Sequence, residues 1–405
     1  MKSTKPLNVF YLFTIFIFST CQQQAKSPLP AFEVFCEMVA NNAKPIALSQ
    51  PMEAAAVDKW WKDFEKVAEK YGVELYKEEN LPVSMLFPAD VAQGKMVIII
   101  YKGQRLVQYE QWKEDLEKAN NDKKEKEALA RRFGRLLGYS PQGINQLLTK
   151  NSDYRTLASF GVGQQITHLY YKDLEVAITF YSEKLGLQKM NDSTFYISED
   201  AFIQLHPLSE THPEGQAKST AIALLTDQLP QWYEYVQAQN IPIKYTYKPK
   251  EGGPHDGFVA IDPEGYLLEF EQFKQHPENE LFMAVLSKSN PIDTKVNALN
   301  FYASITWTYH KDMLKMQAFY EEVLGYQLVA DQGWTKIYQT SSTGFIGLVD
   351  ECRGMEDYAD AKAVELEWKV KNRTDLDNYA QQNWADYEYN EGRMKGPELY
   401  FYSIQ

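Results

Sequence analysis

Few side chains in this sequence can do chemistry, and they are scattered. The chain holds three cysteines and six histidines in 405 residues. Cys36 and Cys352 stand in different regions, without companions at the close spacing that gathers zinc or forms a redox pair. Each therefore reads as a small buried apolar residue, bridged or free. His168 falls within the alternating segment ITHLYY, where every second side chain shares a face. His206 and His255 read as solvated loop histidines. Trp307 and Tyr309 alternate in ITWTYH, and Trp334 follows in WTKIYQT. Such rings suit the wall of a site for a planar or apolar small molecule, and they suit a plain core equally. Arg131 and Arg132, in RRFGRLLGY, invite an anion site, but adjacent arginines on an amphipathic helix are ordinarily its wet face.

The elements that must hold these residues are partly legible. With 44% hydrophobic and 14% aromatic residues, the chain can fill two or three compact units. A formal net charge of -13 argues against a nucleic-acid partner, which needs a basic face. MKSTKP followed by VFYLFTIFIF has the charged start and short apolar core of a signal peptide over residues 1–20. Phe18-Ser19-Thr20-Cys21 then resembles the lipobox of bacterial lipoproteins, with Thr20 in place of the usual smaller residue. That resemblance implies cleavage before Cys21, lipid on Cys21, a tether over 21–30, and a protein anchored to a membrane of the bacterial cell envelope. The other reading is an uncleaved anchor helix.

Residues 31–151 read as a small mixed α/β domain to which no chemistry is assigned. Helices are expected around Phe32 to Ala40 and Glu53 to Tyr71, with Gly72 ending the second. The β-branched run MVIII makes a buried strand. Helical spacing returns over Val107 to Lys118 and, after the charged break NNDKKEKE, up to Gly138; Ser140 caps a last short helix whose first residue is Pro141.

An internal repeat follows. ITHLYYKDLEVAITFYSEKLGL begins at Ile166, and ITWTYHKDMLKMQAFYEEVLGY begins 139 positions later at Ile305. Asp173 matches Asp312, Phe180-Tyr181 matches Phe319-Tyr320, and Leu185-Gly186 matches Leu324-Gly325, without a gap. Each copy reads as a strand, an Asp-capped amphipathic helix, hairpin-like segments, a further helix and closing strands.

These segments, with GFVAIDPEGYLLEFEQF at 257–273 and DQGWTKIY and FIGLVDE in the second copy, resemble the vicinal oxygen chelate superfamily, which includes glyoxalase I, bleomycin-resistance proteins and extradiol dioxygenases. The resemblance implies an α+β fold of two tandem βαβββ glyoxalase-like modules, 161–275 and 297–405, joined by a linker at 276–296 and enclosing one cleft. It implies a small-molecule ligand and one divalent metal ion, held by a first-strand ligand and a last-strand carboxylate from each module.

The first-strand positions are Ile166 and Ile305, which have no donor atom. His168, two residues along, lies on the face of Ile166 and is the candidate displaced ligand, or a hydrogen-bonded neutral histidine. Its counterpart Trp307 cannot ligate. Glu269 is the first module's carboxylate: a metal ligand with His168, a catalytic acid or base, or simply a partner of that histidine. The second module offers Glu398. His168, Trp307, Tyr309 and Trp334 are the substrate-binding candidates. Two functions follow, a metal-assisted lyase, isomerase or dioxygenase, and a metal-free binding or sequestration protein.

Overall fold

The computed structural model describes residues 27–87, 94–119, 123–149, 155–296 and 298–405. Cys21 and the apolar leader lie outside the described residues. Among the described residues no helix is long and apolar enough to cross a membrane. Cys36 is buried, Cys352 is exposed, and both are free thiols.

The chain divides into two compact units, one made of residues up to Leu81 with Val91–Gln108, the other of Pro82–Asp90 with Tyr109–Gln405. In the first, strands β1 (Ala47–Leu48), β2 (Glu74–Glu78) and β3 (Val97–Tyr101) form an antiparallel sheet with β3 central. Ile98 and Ile100 share a core with Phe32, Cys36 and Val39 of helix Leu29–Ala40 and with Val57, Phe64 and Ala68 of helix Ala54–Tyr71. The second helix stops where expected, on Gly72 in the left-handed conformation that spares a glycine any Cβ clash.

Helices Lys123–Leu136 and Pro141–Leu148 belong to the second unit, so the first unit ends well before residue 151. Ser140 caps the latter helix by accepting from the Gly143 amide at 3.1 Å. Arg131 departs from the expected wet face. It is buried, donating to Asn145 Oδ1 at 2.8 Å and Glu127 at 2.9 Å, with Glu322 at 3.5 Å. A guanidinium can be buried when its fork is filled in this way, and here it ties the helices to the repeat.

Each repeat copy resolves into two strand-helix-strand motifs. The first copy holds β4 (Val162–Tyr171), β5 (Thr194–Tyr196) and β6 (Ala201–Pro207), then β7 (Thr220–Leu225), β8 (Ile243–Tyr245), β9 (His255–Ile261) and β10 (Leu267–Phe273). A ribbon of β11 (Ile292–Asp293) and β12 (Asn300–Phe301) closes the connection. The second copy holds β13 (Ala303–His310), β14 (Gln327–Asp331), β15 (Thr335–Gln339) and β16 (Gly344–Asp350), then β17 (Val364–Val370), β18 (Arg393–Lys395) and β19 (Phe401–Ile404). Asp173 and Asp312 cap the helices after β4 and β13, accepting from Val176 N and Lys315 N at 3.1 and 3.0 Å.

The strand order shows how the two tandem modules interlock. An eight-stranded sheet runs β14-β15-β16-β13-β7-β10-β9-β8, and a six-stranded sheet runs β18-β19-β17-β4-β6-β5. Each sheet thus takes half its strands from each copy, joined at antiparallel seams β13/β7 and β4/β17. The inner faces of both sheets and the motif helices share one core, including Leu169, Tyr171, Leu224, Phe270, Leu348, Leu366 and Trp368. The opposite face of each sheet is where a site can be built, so the molecule has two such faces.

Candidate functional site

On the eight-stranded sheet, alternation turns Ile305, Trp307 and Tyr309 of β13 away from the shared core. Cross-strand register places Ile305 beside Ala223, Ala223 beside Glu269, and Glu269 beside Val259. Trp307 lies beside Ala221 and Gly347, and Glu271 beside Gly257. Small residues make the room. A methyl group on Gly347 would come within 1.9 Å of the Trp307 ring, so the indole lies flat against bare backbone.

The connection from β16 to β17 crosses this face. Gly354 packs so closely on the Tyr309 ring that a Cβ would meet it at 2.4 Å, and the Arg353 guanidinium lies 5.0 Å from the centre of the Trp334 ring. Lys244, from the first copy, donates to the Met355 carbonyl at 3.2 Å and lies 3.6 Å from Glu356. Beneath this strap is a cavity of about 440 Å³ whose lining includes Glu269, Glu271, Trp307, Tyr309, Trp334 and His255. Three of the four substrate-binding candidates and the catalytic candidate therefore share one cavity.

The cavity's electrostatics follow from burial. Burial lifts the Glu271 carboxyl to about 8. Burial, with Glu271 beside it, lifts Glu269 well above the usual carboxylate range. Glu271 is therefore held largely protonated at neutral pH, and Glu269 is shifted in the same direction. Burial, then Lys250, lowers His255 and keeps its ring neutral. Glu271 Oε2, Trp307 Nε1 and His255 Nδ1 are buried polar atoms without a hydrogen-bond partner.

His168 lies elsewhere, on the outer face of the six-stranded sheet. Its Nδ1 is 2.8 Å from His206 Nε2, and its Nε2 is 3.4 Å from Glu367. His206 belongs to β6, not to a solvated loop, and burial together with His168 lowers it to about 4. Alongside, His212 stacks on Tyr170 at 3.6 Å and reaches Glu365 at 3.3 Å, and Arg393 also pairs with Glu365. These polar groups satisfy one another.

The divalent ion implied by the resemblance does not find its ligands. His168 and Glu269 sit in different sheets and do not share an ion. In the row that carries Glu269, the neighbouring positions on the same face are Val259, Ala223, Ile305 and Phe345, none of which has a side-chain donor atom. Glu398 is not the second carboxylate: it accepts from Lys311 N and Asp312 N at 3.1 and 3.0 Å and pairs with buried His310 at 2.8 Å. Tyr266 and Tyr400 make matching bonds, to Tyr170 N and Tyr309 N. Glu269, three residues past Tyr266, therefore has Ser403 as its counterpart. Among the described residues no group of three or more His, Cys, Asp or Glu side chains is gathered as a metal requires.

Sequence reading missed Glu271, His255 and Arg353. Glu271 carried a usable signal, since two positions along a strand from Glu269 means the same face. His255, behind Gly252-Gly253-Pro254, looked like loop, and Arg353 enters through a connection that periodicity does not describe.

Residues 163–270 match the sequence profile of the Glyoxalase/Bleomycin resistance protein/Dioxygenase superfamily. Among solved structures, glyoxalase I from Zea mays is similar at 13% identity and a TM-score of 0.43, over 60% of this chain and 92% of that one. A putative dioxygenase from Bacillus subtilis is similar at 15% identity and a TM-score of 0.40, over 62% and 85%. An integron cassette protein from V. cholerae reaches 22% identity and a TM-score of 0.22, over 27% and 92%. No curated protein matches the chain.

Proposed function

We propose that this protein binds a small organic molecule in the cavity on the outer face of its eight-stranded sheet, without a chelated divalent ion, while tethered to a bacterial envelope membrane by lipid on Cys21. One observation carries the binding reading: the wall of a single cavity contains three buried polar atoms without partners, Glu271 Oε2, Trp307 Nε1 and His255 Nδ1. Each such atom costs about 1–3 kcal/mol, which a ligand supplying the missing partners would offset. Trp307, Tyr309 and Trp334 supply ring surface, and Glu269 and Glu271 supply polar contacts. A second reading is favoured by Glu271, whose carboxyl exchanges its proton near pH 8. An acid poised there beside Glu269 suits general acid-base catalysis. Metal-assisted lyase, isomerase or dioxygenase chemistry is not supported by the donor set.

The test is calorimetric titration of a panel of bicyclic aromatic compounds into the chain and into Val259→Trp, which fills the cavity. Binding lost in a variant that keeps the wild-type circular dichroism supports the reading. Undiminished binding in that variant places the ligand elsewhere and overturns it. For the tether, palmitate labelling abolished by Cys21→Ser is expected; labelling that persists rules out that anchor.

A further inference from the structure

We propose that the ligand of this cavity is a planar organic anion, its ring against Trp307 and Trp334, its acceptor oxygens toward the floor and its negative charge toward Lys248, Lys250 and Arg353. The inference rests on the binding reading above and adds the ligand's chemical class. Floor and mouth lead to it independently.

At the floor, Glu271 Oε2 is buried without a hydrogen-bond partner, and Glu269 is buried beside it. Burial penalises the charged form of both carboxyls, and at Glu269 the neighbouring Glu271 adds to that penalty more than Lys244 relieves it. A protonated carboxyl donates. The Trp307 indole nitrogen can only donate. The floor therefore presents donors without partners, Trp307 Nε1 and the carboxyl O–H, which a carbonyl, phenolate or carboxylate oxygen would satisfy. Neutral carboxylic acids held in apolar sites are effective donors to such oxygens.

At the mouth, the chain's formal net charge of -13 is locally reversed. Lys248, Lys250 and Arg353 line the cavity, and no ion pair engages them among the described residues. The acid beside them, Asp256, is already taken by Lys274 at 2.9 Å and by the Lys250 amide at 2.8 Å. A cationic opening over a floor of donors attracts an anion and repels an organic cation of the same shape. The aromatic walls favour a flat body.

Three probes sharing one ring system decide this by calorimetric titration of the full chain: 2-naphthoate, 2-naphthylmethylammonium and 2-naphthalenemethanol. Naphthoate is expected to bind about tenfold more tightly than the ammonium. Combining Lys248→Gln, Lys250→Gln and Arg353→Gln should remove most of that preference, weakening naphthoate far more than the neutral alcohol. Glu271→Gln, which keeps a donor, should hold naphthoate within about threefold, and Glu271→Leu should weaken it about tenfold. Ammonium binding equal to or tighter than naphthoate, or a preference unmoved by the triple variant, overturns the anion inference and leaves the cavity reading standing. Failure of all three probes to bind overturns both.

Discussion

At the scale of single residues, the site is defined by groups the fold leaves unsatisfied. A carboxyl lifted to about 8 by burial makes folding depend on pH. Unfolded, Glu271 ionises near 4.5; folded, it keeps its proton to about 8. Its stabilising contribution is therefore fully present below the unfolded value and is lost as pH rises through the folded one. The melting temperature should fall between about pH 5 and 8, and Glu271→Gln, isosteric with the neutral acid, should flatten that slope. The variant is expected to be more stable than wild type at pH 8 by about 1–3 kcal/mol, read by thermal unfolding across that range. A variant less stable at pH 8 would contradict an unpartnered buried acid. Glu269 was legible in GYLLEFEQF by resemblance, and strand alternation carries the same signal one pair further to Glu271. His168 was legible as sharing a strand face with Ile166 but not as a resident of the second sheet, because alternation reports the side of a strand and not the strand's neighbours.

Among the elements, the two connections that cross the outer faces explain why the described cavity sits on the eight-stranded sheet. The β16–β17 connection passes Tyr309 with Gly354, whose backbone packs directly on the ring and brings no side chain across the face. The β6–β7 connection passes the repeat counterpart Tyr170 with His212, whose ring stacks at 3.6 Å and fills it. His212 also matters to Glu365: burial opposes ionisation of that carboxyl, but the His212 bond and Arg393 outweigh it and hold it below its usual value. His212→Gly should therefore leave an imidazole-shaped gap and destabilise the fold by about 2–4 kcal/mol, as measured by urea unfolding. Millimolar imidazole should recover part of that loss. Unchanged stability would show that the strap is not held by this ring. Helix caps, the Gly72 stop and the repeat itself were readable because each is a local rule. The straps were not, since a connection's path is set by what it crosses.

For the whole molecule, the sequence repeat and the structural unit do not coincide. The 139-residue period marks two paired modules, and both sheets are hybrids of the two copies. Two tyrosines bind the hybrid together. Tyr266 accepts from the Tyr170 amide and donates to the Ala363 carbonyl at 2.6 Å, while Tyr400 accepts from the Tyr309 amide and donates to the Ser219 carbonyl at 2.6 Å. Each hydroxyl thus links one copy to the other. Register slips of such seams would turn apolar faces outward, so the pairing is tightly specified. This interlock has a direct consequence for fragments. Residues 155–290 alone would expose the β4 edge that pairs with β17 and the β7 edge that pairs with β13, and unpaired buried-strand edges are not tolerated in a stable monomer. The fragments 155–290 and 291–405, expressed separately, should each lack a cooperative unfolding transition as monomers. Mixed together, they should assemble one to one with wild-type circular dichroism. A cooperatively folded monomer of 155–290 would mean that the sheets can be built from one copy, and the hybrid seams would then not be what determines the fold.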